Sequence, residues 1–124
     1  MHFYAMNDKA NQPLLKGSLS VIILKLLETR ERMYGYEITQ QVKALTAGGV
    51  AITEGALYPA LHKMESEGLL TTQTEVVNGR ARKYYSLTKT GKTEAVNRVD
   101  ELMAFMQNLQ TILSPAFPTP KPAF

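Results

Sequence analysis

The sequence predicts a fold that is mainly α-helical with one small β-hairpin. Apolar residues recur at helical spacing in three segments before residue 70, an Asn-Gly pair divides two β-type segments, and helical spacing returns after residue 88. The chain has 124 residues, of which 44% are hydrophobic and 20% are charged, as is typical of a soluble globular protein. This length suits one domain with its own hydrophobic core and is short for two.

The first helix is predicted to start near Pro13, whose missing N–H would be unpaired in the first turn. The residues before it, 1–12, are interpreted as an N-terminal extension. The helix carries apolar residues at helical spacing: Leu14, Leu15, Leu19, Ile22, Ile23, Leu26 and Leu27. Because these residues cover a broad surface, we expect the helix to be deeply buried.

A second, shorter helix is predicted after the segment YGYE at residues 34–37. Its apolar residues Ile38, Val42 and Leu45 follow a helical spacing that gives one apolar stripe. The glycine pair at residues 48–49 either ends this helix or lies in the turn after it.

The third helix is predicted to begin after Thr53, whose hydroxyl can cap an unpaired backbone N–H. Gly68 is a C-terminal stop that can adopt positive φ. Pro59 inside this helix removes one backbone hydrogen bond, so a kink or a later start is an alternative. The buried face is predicted to carry Leu57, Leu61 and Met64. The opposite face carries Glu54, Gly55, Tyr58, Pro59, His62 and Lys63.

The hairpin is predicted from two β-type segments, residues 71–77 and 80–87, on either side of Asn78-Gly79. Both turn residues tolerate the positive φ of a type I′ turn. Strand alternation projects Arg80 and Arg82 from the same side near the tip. The net charge of +3 is weak evidence for a nucleic-acid partner, but residues 78–93 contain five basic residues and no acidic one. A solvated charged face is the alternative interpretation of this cluster.

From Thr88 the chain is predicted to be helical again, with apolar residues in a heptad-like seam. The seam consists of Ala95, Val99, Leu102, Met106, Leu109 and Leu113. The last eleven residues, 114–124, contain four prolines, which predicts an extended, flexible tail.

Three helices, a hairpin and a last helix are the order of a winged helix, in which a β-ribbon wing follows a helix-turn-helix. The second of the paired helices of a helix-turn-helix enters the major groove of DNA with its N-terminal residues nearest the bases. In this chain it is the third helix. Gly55 leaves its backbone free to approach a phosphate, and the helix N-terminus favours an anion. Further candidate contacts to phosphate, sugar or bases are Tyr58, His62 and Lys63 on the helix and Arg80 and Arg82 on the wing.

Each of these residues has an alternative interpretation. Gly55 and Pro59 could serve only to shape the start of the helix, and Tyr58 could pack beside the hairpin. His62 could be an exposed histidine without a role in binding. The two wing arginines could be ordinary solubility residues.

Four blocks of residues, in the same order, closely resemble the PadR-like transcriptional regulators over residues 14–91. The blocks are LKGSL at 15–19, YGYEI at 34–38, GALYPAL at 55–61 running to EGL at 67–69, and RKYYSLT at 82–88 ending at Gly91. This resemblance implies a homodimeric winged-helix repressor whose C-terminal helix supplies much of the dimer contact. The single helix after the wing is similar to the shorter family subtype.

The resemblance also implies site residues at matching positions. The implied DNA-binding residues are Tyr34, Gly35, Tyr36, Thr53, Glu54, Gly55, Ala56, Tyr58, Pro59, His62, Lys63, Asn78, Gly79, Arg80 and Arg82. Ala56 departs from the Thr that is common in the family motif and lacks its hydroxyl. The implied dimer interface is the seam Ala95, Val99, Leu102, Met106, Leu109 and Leu113. The organisation is then an extension at 1–12, a winged-helix DNA-binding domain at 13–88, a dimerisation helix at 89–113 and a tail at 114–124.

Some members of the family bind aromatic or drug-like effectors between the subunits. By this resemblance, Met103, Phe105 and Met106 form a candidate effector site of adaptable, polarizable side chains. A role in the core or in the dimer seam is the alternative. The sequence contains no tryptophan that could stack on a flat ligand.

The sequence gives no support for an enzyme, a metal or a cofactor. It has two histidines, His2 and His62, no cysteine and no Gly-rich phosphate loop. The first residues lack the pattern of a secretory signal, and the longest apolar stretch, at 19–27, is too short to span a membrane. We therefore expect a cytoplasmic protein whose partners are double-stranded DNA, a second copy of itself and a candidate small-molecule effector. A module for protein–protein interaction is the alternative, because one fold can serve several functions.

Overall fold

The computed structural model of the chain describes the backbone of residues 4–114 and the side chains of residues 13–114. The elements in chain order are α1 (Tyr4–Thr29), β1 (Met33–Tyr34), α2 (Gly35–Leu45), α3 (Glu54–Ser66), β2 (Leu70–Val77), β3 (Arg80–Leu87) and α4 (Lys89–Leu113). The prediction of a mainly α-helical fold with a β-hairpin is confirmed. The predicted proline-rich tail, apart from residue 114, lies outside the described residues.

Helix α1 begins earlier than the sequence predicted, so Pro13 lies inside the helix. The predicted start was wrong. Pro13 removes only one backbone hydrogen bond, and the other hydrogen bonds of this 26-residue helix outweigh that loss. Deep burial holds for only part of the helix. Leu19 and Ile23 are buried, whereas Leu14 is 74% exposed. The buried part of α1 packs against α3, α4 and β3.

Helices α2 and α3 begin at capping residues. The Glu37 carboxylate accepts a hydrogen bond of 3.1 Å from the backbone N–H of Tyr34, the residue before α2. The Thr53 hydroxyl accepts one of 3.2 Å from the N–H of Ala56, as predicted. Helix α3 runs through Pro59, so a later start is wrong. Gly48 lies in the turn after α2 with φ 83°, one of the two predicted placements of the glycine pair.

The sheet has three antiparallel strands in the order β1-β3-β2. The predicted hairpin is confirmed, because Val77 pairs with Arg80 and the two linking residues Asn78 and Gly79 have φ of 52° and 78°. Strand β1 was not predicted. It has two residues and pairs with Tyr84 and Tyr85, and such a short strand carries no periodic signal.

One core joins the helices to the inner face of the sheet. Its largest fully buried side chains are Tyr85, Ile23, Leu24, Met33, Ile38, Leu57, Leu61 and Met64. Helix α4 is attached to this core at its first turns, where Thr88 donates its N–H to the Leu69 carbonyl over 3.0 Å. A Cβ atom at Gly91 would collide with that same carbonyl oxygen, so the close approach requires glycine. Past Ala95, α4 becomes increasingly exposed.

Candidate nucleic-acid interface

The face of α3 that the sequence assigned to DNA is exposed. It carries Glu54, Gly55, Ala56, Tyr58, Pro59, His62 and Lys63, and the opposite face buries Leu57, Leu61 and Met64. Thr53 caps the N-terminus of α3, and the first-turn N–H groups that it leaves free lie at this exposed end of the helix. Free N–H groups at this end favour an anion, and the Glu54 carboxylate lies in the same first turn.

The start of α2 lies directly against the middle of α3. Gly35 is buried, and a Cβ atom built on it would overlap the hydroxyl and ring of Tyr58. Burial, followed by the nearby Glu54 carboxylate, raises the pKa of Tyr58 above its ordinary value of 10.0. The hydroxyl therefore remains protonated at neutral pH and can donate a hydrogen bond. Tyr58 is 37% exposed, so the residue packs against Gly35 and also lies at the protein surface.

A cleft of about 390 Å³ separates the start of α2 and the exposed face of α3 from the wing. It is lined by Tyr34, Gly35, Tyr36, Tyr58, His62, Arg80, Ala81, Arg82, Lys83 and Tyr85. The cleft thus brings together predicted residues from all three elements. Its lining combines tyrosine hydroxyls and cationic groups, which are the usual donors to a phosphate backbone.

One face of the sheet carries a row of stacked aromatic and cationic side chains. The guanidinium carbon of Arg82 lies 4.1 Å from the centroid of the Tyr34 ring. That ring meets Tyr84 edge to face, with centroids 5.5 Å apart and planes at 85°. The guanidinium carbon of Arg32 lies 3.9 Å from the centroid of the Tyr84 ring. Both distances place the cations within the range of a cation–π contact.

Arg32 also forms a bidentate ion pair with Glu75 on β2. Its Nη1 donates to Oε2 over 2.5 Å and its Nη2 donates to Oε1 over 3.2 Å. These hydrogen bonds lower the pKa of Glu75 below its ordinary value of 4.5. Sequence reasoning missed Arg32, Tyr84 and Glu75. The one available signal was that Glu75 and Arg82 would oppose each other in a hairpin closed by Asn-Gly.

The wing tip presents its remaining polar groups to solvent. Asn78, Gly79 and Arg80 are all exposed, and Arg80 makes no ion pair within residues 13–114. Lys83 lies on the other side of the strand, 3.8 Å from the Glu65 carboxylate. Arg80 is therefore available for an anion, while the charge of Lys83 is partly balanced.

The predicted dimer seam divides into two parts along α4. Ala95 is completely buried within its own chain and has no surface left for a second copy. Val99 and Leu102 are half-buried. The exposed part of the seam contains Met106, Leu109 and Leu113. The candidate effector residues Met103, Phe105 and Met106 are likewise exposed in a single chain.

Two further properties bear on the class of protein. The described residues contain no cluster of three or more His, Cys, Asp or Glu side chains suited to a metal ion. Among the described helices, none combines the length and hydropathy that crossing a membrane requires.

A helix-turn-helix with an exposed second helix, next to a basic β-hairpin, defines a winged-helix DNA-binding domain. Comparison with known proteins places it more narrowly. Residues 23–97 match the family described as "Transcriptional regulator PadR-like family", and the chain belongs to this family. Members of the family bind DNA as regulators of transcription, so the chain is a transcriptional regulator of the PadR type.

Individual relatives agree with this assignment. The chain is 38% identical to the transcriptional regulator Rv3488 of Mycobacterium tuberculosis over an alignment of 73 residues that covers 56% of this chain and 65% of that protein. The match therefore spans just under two thirds of that relative. A transcriptional regulator from Clostridium thermocellum superposes with a TM-score of 0.72 at 25% identity, covering 81% of this chain and 94% of the other. A PadR family regulator from Eggerthella lenta gives 0.67 at 28% identity, covering 91% and 93%.

Proposed function

We propose that this chain is a sequence-specific transcriptional repressor that binds a palindromic operator as a homodimer. The observation that carries the proposal is the cleft in which the start of α2, the exposed face of α3 and the arginines of the wing converge. Three elements facing one cleft can hold a DNA backbone at several points while α3 enters the major groove.

The residues that line the cleft and those at the N-terminus of α3 have different roles in this proposal. The exposed N-terminus of α3 lies against the base edges, where Glu54 can accept a hydrogen bond from a cytosine amino group. His62 reads a base or the adjacent backbone one turn later. Tyr36 and Arg80, both exposed, bind phosphates on either side of the groove. A Cβ atom built on Gly55 would approach only the Thr53 hydroxyl oxygen, at 4.0 Å, so packing among the described residues does not require glycine there.

The homodimer is proposed from the exposed apolar surface of α4. Its large exposed apolar residues are Val96, Met103, Phe105, Met106, Leu109, Ile112 and Leu113. An apolar surface of this extent on one helix is unusual for a monomer and typical of an interface. Two chains joined along the ends of α4 would present two α3 helices, and two-fold symmetry calls for half-sites about 34 to 36 Å apart.

Release by a small aromatic effector completes the proposal. Met103, Phe105 and Met106 would face the space between the subunits, where methionines adapt to flat ligands and favour sulfur–aromatic contacts. The test titrates planar aromatic compounds into the protein–DNA complex. A compound that releases DNA from the wild type but not from Met103→Ala supports this site, and equal release from both proteins places the effector elsewhere.

Selection of genomic fragments by the purified protein tests the DNA-binding proposal directly. We expect enrichment of an inverted repeat near a promoter and binding that weakens steeply with salt, because binding releases counterions. Arg80→Ala should weaken all sequences similarly, whereas His62→Ala should change the preferred base at one position. Lys43→Ala, an exposed cation at the end of α2 that does not line the cleft, serves as the charge control. Equal affinity for promoter and random duplex at every moderate salt concentration would refute the proposal.

A truncated chain tests the alternative of a protein-interaction module. A chain truncated after residue 113 should remain a dimer and keep its operator affinity under the present proposal. Loss of its regulatory activity with dimerisation and DNA binding intact would favour a protein partner instead.

A further inference from the structure

Five side chains form a connected cluster on one face of the sheet, called here the Arg32 stack. The contacts run from Glu75 to Arg32, then to Tyr84, Tyr34 and Arg82. We propose that Arg32 is a positioning residue for DNA binding, because it keeps Glu75 from pairing with Arg82 and so leaves the Arg82 charge available in the cleft. The inference rests on the proposed binding of DNA by this cleft.

The hairpin register makes Glu75 and Arg82 competitors for each other. They are directly paired residues of β2 and β3. Opposite charges in such positions lie within reach of each other and attract. Yet Glu75 bonds to Arg32 with both oxygens, and the Arg82 guanidinium lies over the Tyr34 ring instead. A bidentate guanidinium–carboxylate pair is the strongest ion pair that Glu75 can form. Arg32 therefore satisfies the carboxylate that would otherwise bind Arg82.

Arg32 also supports the position of Arg82 through the two tyrosine rings. It covers one face of Tyr84, and the edge-to-face contact of Tyr84 with Tyr34 fixes the ring on which Arg82 lies. Arg32 belongs to the segment between α1 and β1, outside the hairpin. The Arg32 stack therefore links the wing to the body of the domain, in addition to setting the partner of Arg82.

Removal of Arg32 changes the charge pattern of the cleft. Glu75 is then without its partner and can turn across the hairpin to Arg82, which draws that guanidinium away from Tyr34 and balances its charge. One fewer cation then faces the DNA. The slope of log affinity against log salt is expected to fall by about one for each phosphate that the protein no longer neutralises.

The first measurement needs no DNA. In the free protein, the NMR signals of the Arg82 guanidinium and of the Tyr34 ring report whether the two groups are stacked. We expect both to shift in Arg32→Ala and to return towards their wild-type positions in Arg32→Ala/Glu75→Gln, where no carboxylate competes. Unchanged signals in Arg32→Ala would overturn the inference, whether or not the wild type proves to bind an operator.

The second measurement is a double-mutant cycle on operator affinity. We expect Arg32→Ala to weaken binding about fivefold at low salt and to lower the salt slope by about one. In that background Glu75→Gln should restore both quantities, although Arg32 is still absent. In the wild-type background the same change should have little effect, because Arg82 is already free.

Two simpler explanations predict other results. If only net charge matters, Glu75→Gln strengthens binding by the same factor in both backgrounds. If Arg32 itself contacts DNA, the salt slope stays low in the double variant. Either result overturns the inference. Arg98→Ala is the matched control, because it breaks a half-buried Arg–Glu pair on α4 that does not line the cleft. It should leave the affinity unchanged, and an effect equal to that of Arg32→Ala would also count against the inference. Failure of the proposed function is a separate result, seen as wild-type protein that does not prefer its operator.

Discussion

The ring of Tyr58 occupies the space in which a side chain at residue 35 would stand, so Gly35 and Tyr58 fit together only because one of them has no Cβ atom. The contact joins the first residue of α2 to the exposed face of α3. It fixes the distance between the start of α2 and the exposed face of α3, which line the same cleft. A residue whose sequence motif suggested direct contact with DNA thus has a packing role of its own.

Replacement of Gly35 by alanine should therefore destabilise the domain. The added methyl group overlaps an aromatic ring, and such overpacking costs about 1 to 3 kcal/mol in the free energy of unfolding. Denaturant unfolding of Gly35→Ala measures the loss. In a Tyr58→Ala background the same change should cost less, because the overlapping atoms are already absent.

The control for this prediction is Gly17→Ala on α1. Among the described residues, no side chain and no backbone atom from outside this part of the helix lies within 4 Å of a Cβ built on Gly17. Alanine there should therefore stabilise the helix by about 0.5 to 1 kcal/mol. If Gly35→Ala behaves like Gly17→Ala, the packing role assigned to Gly35 is wrong.

Gly55 should respond differently from Gly35. The nearest atom to its added Cβ is the Thr53 hydroxyl oxygen at 4.0 Å, so Gly55→Ala should fold at least as stably as the wild type. If the bare backbone serves close approach to DNA, the same variant should bind the operator on the order of tenfold more weakly, a change of about 1.4 kcal/mol. Melting curves and fluorescence anisotropy measure the two effects. A less stable variant with normal operator affinity would show that Gly55 only shapes the start of α3.

Much of the fold was predictable because its signals are local. The Thr53 cap is read from one residue and its neighbours, and the Asn78-Gly79 turn from a dipeptide whose φ values only a few residues adopt easily. The buried face of α3 follows from the spacing of its apolar residues. Each of these features depends on residues close together in the chain, which a single sequence displays directly.

The features that were missed depend on distant residues. Arg32 and Glu75 are 43 residues apart, and no local sequence pattern in either segment predicts that they pair. The seam on α4 was predicted as a single dimer interface, yet Ala95 is completely buried within its own chain. Periodicity identifies the apolar side of a helix. It does not tell which part of that side the same chain covers and which part is left for a partner.

The pKa of Glu75 gives a test of the Arg32 pair that is independent of DNA. Because the hydrogen bonds from Arg32 lower this pKa below 4.5, the pair contributes to folding stability above pH 4.5. The contribution is lost as the pH falls through the lowered value, and it is small because both groups are exposed. A ¹³C NMR titration of the Glu75 carboxyl should show the depressed pKa in the wild type and a return towards 4.5 in Arg32→Ala. A titration unaffected by that change would contradict the assignment.

Dimerisation through the end of α4 predicts a specific effect of charge in the exposed part of the seam. Leu109 is 38% exposed in the single chain and is apolar, so Leu109→Glu should place an unpaired carboxylate inside the proposed interface. Sedimentation equilibrium should then find monomers at concentrations where the wild type is dimeric. The fold should survive, because the anchoring contacts of α4 lie at Thr88 and Gly91.

The operator affinity of the Leu109→Glu monomer distinguishes a functional dimer from an incidental one. Two linked half-site contacts exceed a single contact by about 10² to 10⁴ in affinity, so binding to the palindrome should fall by that order while binding to one half-site is unchanged. Gln110→Glu adds the same charge at the neighbouring exposed residue and should leave the dimer intact. If Leu109→Glu remains a dimer, the interface lies elsewhere on the chain. If it is a monomer and still binds the palindrome as tightly as the wild type, recognition does not depend on two copies.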